Sequence, residues 1–153
     1  MTTRLALALS CLALAACSVA PPPTGGPSRT YVSTASASQT LAADRRNAGI
    51  APLVRNARLD AAAQAHAEFM ARTGRTSHVG AGGSRSADRA RAAGYCYRAL
   101  AENIAWGQSS QEAALSGWIA SPGHRRHILN GTLRDFGLGN ADGYWVMDLG
   151  APC

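Results

Sequence analysis

Ser121-Pro122-Gly123-His124-Arg125-Arg126-His127-Ile128-Leu129-Asn130 sets two imidazoles and two guanidiniums directly behind a proline–glycine turn signal. The segment before it is apolar and ends on Trp118-Ile119. Ser109 and Glu112 have the spacing of a capping box and are expected to open a helix there. Pro122 has no N–H to give to a helical ladder and is expected to close it. Other chemistry-bearing residues sit at similar junctions. Ser77-His78 lies in a glycine-rich loop, where a side chain can point into a groove. Glu102-Asn103-Ile104-Ala105 opens an apolar strand. Phe136-Gly137-Leu138-Gly139 is followed, after a short turn, by Tyr144-Trp145.

Working outward, periodicity places a helix over Leu41 to Asn47 that stops at Gly49, with Pro52 in the loop beyond. Leu59, Ala63, His66, Ala67 and Met70 share one face of a second helix ending near Gly74. A short arginine-rich helix runs from Ala87 to Ala93 and is closed by Gly94. Ile104-Ala105-Trp106 reads as a strand before Gly107. The segments around Phe136–Leu138 and Tyr144–Leu149, joined through Asn140-Ala141-Asp142-Gly143, read as a β-hairpin. Helices ahead of a small antiparallel sheet define an α+β layered domain. Trp106, Trp118 and Trp145 are expected in its core, each needing an N–H partner. His66, on an apolar face, is expected to be a packed, hydrogen-bonded core residue.

Taken in chain order, Ser77-His78, Glu102 to Ala105, Ser121 to Asn130, Phe136 to Gly139 and Tyr144-Trp145 resemble the CAP domain. That superfamily takes in the cysteine-rich secretory proteins, antigen 5 and pathogenesis-related 1, and the likeness is strongest to its bacterial SCP-like envelope lipoproteins. The resemblance covers about residues 40–150. It implies a three-layer α-β-α sandwich with a small antiparallel sheet over residues 39–153. It also implies that His78 and Glu102 line a central cavity.

The chain departs from the eukaryotic CAP pattern, which has a second glutamate after the helix of Trp118 and a second histidine on the following strand. Here those places hold Ser121 or its neighbours and Tyr144-Trp145, so that four-residue site is not intact. The bacterial resemblance makes His124 a substitute imidazole, and Tyr144 can donate its phenol into the same cleft. His127 stands where bacterial relatives commonly show asparagine and receives no site role. His78 and His124 with Glu102 form a conceivable zinc set, since two imidazoles and a carboxylate suit that ion. Coupling to Glu102 is expected to raise the pKa of both imidazoles above the ordinary value of about 6.5. Arg125 and Arg126 are read as capping the loop or pairing with Asp135.

The two ends of the chain speak to compartment. Thr2-Thr3-Arg4 and the apolar run Leu5 to Leu14 form an export signal too short for a stable membrane anchor. Leu14-Ala15-Ala16-Cys17 matches the bacterial lipobox, which implies cleavage after residue 16 and acylation at Cys17. The alternative is a secretory peptide cut at an Ala-x-Ala-like site, with Cys17 incidental. In a Gram-negative host, Ser18 after the cysteine directs the protein to the outer membrane. Residues 17–38 are rich in Pro, Ser, Thr, Ala and Gly, and are expected to form a tether. With Cys11 removed and Cys17 acylated, the cysteines left are Cys96 and Cys153. In an oxidising compartment one disulfide is the economical outcome. It closes a loop of about sixty residues, worth about 4 kcal/mol in the chain-entropy model.

Net charge is +6, and all 15 basic residues are arginine. Arg45, Arg46, Arg55, Arg58, Arg85, Arg89 and Arg91 are interspersed with Asp44, Asp60 and Asp88 and are expected on solvated helix faces. Aromatic–basic interleaving of the kind that reads nucleic acid is absent, and the export signal points the same way. There is no Gly-x-Ser-x-Gly elbow, no His-Glu-x-x-His pair and no phosphate loop. The expectation is a lipid-anchored envelope protein that binds a cell-wall fragment, a lipid or another envelope protein around His78, Glu102 and His124. A metal-assisted hydrolase with Glu102 as base and a purely structural envelope module are the alternatives.

Overall fold

The computed structural model describes residues 34–153. The export signal, Cys17 and the tether up to residue 33 lie outside the described residues. Among the described residues, five α-helices and four strands run in the order α1 (Thr34–Asn47), β1 (Val54–Arg55), α2 (Ala57–Thr73), α3 (Ser86–Ala92), β2 (Tyr97–Trp106), α4 (Gln111–Ala120), α5 (Pro122–Ile128), β3 (Asp135–Ala141) and β4 (Tyr144–Pro152). The strands form one sheet in the order β1-β3-β4-β2. All pairings are antiparallel except that of β1 with β3.

Alternation along the strands divides the core between two helical layers. Trp145, Met147, Leu149 and Ala151 of β4 pack with Leu41 of α1, Trp118 of α4 and Ile128 of α5. On the other face, Val146 of β4 and Ala141 of β3 pack with Ala63, Ala67 and Met70 of α2. This is the α-β-α sandwich expected from the sequence. α2 lies directly against β3 because Gly137 and Gly139 have no side chain: a Cβ at either would collide with the α2 backbone at Leu59 or at Ala63 and Gln64. The same helix covers the edge of β3 beyond the short β1. Asp60 Oδ1 accepts from Leu138 N–H at 2.8 Å, and Gln64 exchanges two hydrogen bonds with the Asn140 backbone. That pairing blunts an open edge and leaves β2 as the long edge strand.

Local signals behave largely as the residues dictate. Asn56 caps α2, and Gly74 ends it in the left-handed conformation. The hairpin turns on Asp142-Gly143 alone, both at positive φ (46° and 78°), as a two-residue turn requires. Asn140 and Ala141 belong to β3. Cys96 and Cys153 form the expected disulfide, with Cα atoms 5.5 Å apart.

Several expectations are corrected. α1 starts at Thr34, inside the stretch read as tether, because Ala37 and Leu41, one turn apart, are both buried in the core. The N-cap of α4 is Ser110, whose Oγ accepts from Ala113 N–H, and not Ser109. Glu112 is met by the Ser36 hydroxyl of α1. α4 ends at Ala120, and Pro122 opens α5, where its missing N–H costs nothing. Trp118 and Trp145 are core residues with indole partners at Ile104 O and Gln108 O, but Trp106 is 61% exposed. Arg45 is buried rather than solvated, because its guanidinium donates to the carbonyls of Ala51, Ile128, Asn130 and Leu133. Asp135 is held by Asn56 and the Tyr95 hydroxyl, not by Arg125 or Arg126.

Candidate functional site

Glu102 and Asn103 are consecutive on β2, so their side chains leave the sheet on opposite faces. Glu102 is buried on the α2–α3 side. Its Oε1 accepts from His78 Nδ1 at 2.7 Å and its Oε2 from Arg89 Nη2 at 2.5 Å. Asn103 is buried on the α5 side. Its Oδ1 accepts from His127 Nδ1 at 2.9 Å, and its Nδ2 donates to the His124 carbonyl at 3.3 Å. The edge strand is thus the wall between two sets of polar groups.

His78 is presented by a loop fixed from two sides. Arg89 Nη1 donates to the Ser84 and His78 carbonyls, and His66 Nε2 donates to the Ser77 carbonyl at 2.8 Å. With Nδ1 turned to Glu102, and the side chain 60% exposed, His78 offers its Nε2 outward. A cavity of about 650 Å³ lies beside this loop, between Phe69, Arg75, Ser77 and Val79.

Behind Glu102 stands a second carboxyl. Asp148 is its register partner on β4 and is fully buried. No described N–H or O–H group elsewhere reaches either Asp148 oxygen, and the contact is carboxyl to carboxyl. Burial, and then the charge of Glu102, push Asp148 well above the usual carboxylate range, while Arg89 pulls the other way. The fold therefore favours the neutral form of Asp148.

His124 lies at the end of a groove of about 410 Å³ between β2 and α4, among Ile104, Trp106, Gln108, Gly117 and Trp118. Its pKa is lowered, by burial first and by the charge of His78 second. The expected rise fails for this imidazole because the Glu102 oxygens face the opposite side of the strand. Burial also lowers His66 and His127.

His78 and Glu102 are thus in direct contact, and His124 is close enough to feel the charge of His78 without joining the pair. Tyr144 packs against the apolar cluster of Ala63, Met70 and Val146, four residues along β4 from Asp148. Both Glu102 oxygens are already engaged, one by a guanidinium that repels a cation. Among the described residues no three His, Cys, Asp or Glu side chains are grouped to hold an ion.

Three participants escaped the sequence reading. His127 lies one turn beyond His124 on α5, a spacing that could have marked it. Asp148 is a carboxyl inside the apolar run Val146 to Leu149, itself a signal of a buried polar partner. Arg89 gave no local sign, because its partner comes from another element.

Residues 39–148 match the CAP family, described as the cysteine-rich secretory protein family, and the chain belongs to it. Uncharacterized protein YkwD of Bacillus subtilis (strain 168) is 31% identical over 97 residues, which is 63% of this chain and 38% of that protein. The chain therefore spans well under half of this relative. An extracellular protein containing a SCP domain from Bacillus anthracis superposes with a TM-score of 0.72 at 24% identity, over 76% of this chain and 39% of that one. An outer surface protein from Borrelia burgdorferi superposes with a TM-score of 0.71 at 16% identity, over 82% of this chain and 100% of that one.

Proposed function

We propose that this CAP-domain protein works outside the cytoplasm, anchored by lipid at Cys17, and binds an envelope ligand in the cleft astride β2 without transforming it. The surface and extracellular settings named for its structural relatives support the location. The lipobox supports the anchor. The observation that carries the binding reading is the state of Glu102. Its two oxygens are committed to His78 and Arg89, so it orients an imidazole instead of activating water. The chain then offers a directed Nε2 beside a groove, which is recognition chemistry.

The test compares purified wild type with His78→Ala for co-sedimentation with isolated envelope material. Loss of binding by a variant that keeps its fold is the expected result. Equal retention by both proteins would overturn the reading, as would release of cleaved fragments from the envelope material by wild type alone. For the anchor, Cys17→Ala should abolish labelled palmitate incorporation, and undiminished labelling would remove it.

A further inference from the structure

We infer that the cavity between the end of α2 and the loop over residues 75–83 is a binding site for the C-terminal carboxylate of a short peptide. Arg75 is the partner of the carboxylate, and Phe69 and Val79 are the wall for the last side chain. The site is separate from the cleft astride β2 and does not rest on it. Ser77 and Val79 line the cavity, whereas His78 between them turns its ring to Glu102.

Charge is the first observation. Arg55, Arg89 and Arg91 each meet a carboxylate within the fold. Arg75 is exposed, lines the cavity and has no such partner among the described residues. Thr76 and Ser77 stand beside it in the wall and add two hydroxyl donors. Ser77 Oγ accepts from Val79 N–H at 3.0 Å, which leaves its own proton for a ligand. No Asp or Glu among the described residues joins the wall. A guanidinium so placed matches a single carboxylate through two parallel N–H donors.

The second observation is that the loop is held before any ligand arrives. His66 Nε2 of α2 donates to the Ser77 carbonyl at 2.8 Å, and Arg89 Nη1 of α3 donates to the Ser84 carbonyl at 2.9 Å. Gly80 N–H closes the loop on Ser84 O at 2.8 Å. A Cβ at Gly80 would lie 3.0 Å from Ser84 Oγ and 3.1 Å from both Arg89 Nη1 and His66 Nδ1, so this position is kept for glycine by its surroundings. A wall fixed in this way gives up little freedom on binding.

The wall also chooses among anions. Its apolar side chains are Phe69, half-buried, and Val79, 44% exposed, while Gly80, Gly82 and Gly83 contribute backbone alone. An acyl chain would set its methylenes against those amides and the hydroxyls of Thr76 and Ser77, and would strip water from them without replacing it. A polyol phosphate would satisfy Arg75 but leave Phe69 and Val79 in water. A peptide end brings carboxylate, side chain and amide groups together, and a cavity of about 650 Å³ has room for a few residues.

The experiment titrates isotope-labelled protein with N-acetyl-Ala-Ala-Leu, as the free acid and as the C-terminal amide. The amide resonances of Gly82 and Gly83 and the methyls of Val79 are the readouts. The acid should bind about tenfold more tightly than the amide, or better, because a charge-assisted pair is lost in the amide. Arg75→Gln should bring the acid down to the level of the amide. Arg72→Gln removes the same charge from the end of α2 outside the cavity and should keep the preference. Near-ultraviolet circular dichroism checks that both variants are folded. Equal binding of acid and amide, no shift with either, or equal losses in the two variants overturns the assignment. So does displacement of the peptide by inorganic phosphate at equal concentration, which marks a general anion site, or tighter binding of decanoate, which marks a lipid site.

Discussion

Glu102 of β2 and Asp148 of β4 are register partners on the same face of the sheet, and both are buried. Arg89 and His78 are bonded to the Glu102 oxygens, whereas no donor among the described residues is bonded to Asp148. Burial first, and the charge of Glu102 second, raise the Asp148 pKa.

Because the folded state raises the Asp148 pKa, its contribution to stability is fully present below the unfolded value of about 3.9 and is lost as pH rises toward the folded value. Asp148→Asn is close in size and removes the titration. The variant should unfold at a higher temperature than wild type at neutral pH, by about a few degrees. Thermal scans that place it lower would contradict a neutral Asp148.

Three histidines act with the opposite pH sense. His66, His124 and His127 have lowered pKa values in the fold. Their neutral forms are favoured, so stability is full above the unfolded value of about 6.5 and declines as pH falls through the folded values. In the Asp148→Asn background, which removes the competing carboxyl, the unfolding midpoint should drop on going from neutral to mildly acidic pH. NMR midpoints for these three rings should all lie below about 6.5, and midpoints above that value would refute the burial argument.

Folding and function should separate at His78. Its side chain is 60% exposed on a loop, so His78→Ala should keep Tm within a few degrees, corresponding to about 1 kcal/mol or less. Trp118→Ala empties a core position 1% exposed and should cost about 3–5 kcal/mol. Comparable losses in urea melts would make His78 part of the structural network instead.

Glycine should matter where the layers touch. Gly139→Ala drives a methyl into the α2 backbone and should cost about 1–3 kcal/mol or more, since backbone cannot yield as a side chain does. Gly117→Ala, in the open flank of helix α4, should stabilise by about 0.4–1 kcal/mol. Denaturant titrations that rank the two variants the other way would show that α2 does not sit directly on β3.

Much of this protein is legible in its residues alone, and what is legible there is mainly local. Gly74 and Gly94 as helix stops, the alternation in Tyr144 to Leu149 and the helical face of Leu59 to Met70 follow from dihedral freedom and periodicity. Cys96 and Cys153 pair as expected, and motif order brings His78 and Glu102 to one site. Tertiary structure decides where charge and exposed surface end up. Arg45 and Arg89 look like any other arginines in a basic chain, yet both are sequestered, one by carbonyls after α5 and the other by Glu102. Asp148 has its pKa raised by burial and by the Glu102 charge that its register sets beside it, and His127 enters the site only because α5 docks on Asn103. Trp106 is left bare because β2 is the edge of the sheet, whereas Trp145 belongs to the central strand β4. Periodicity specifies which face a residue occupies, but the partner it meets there depends on strand order and register, which are set by contacts between residues far apart in the chain.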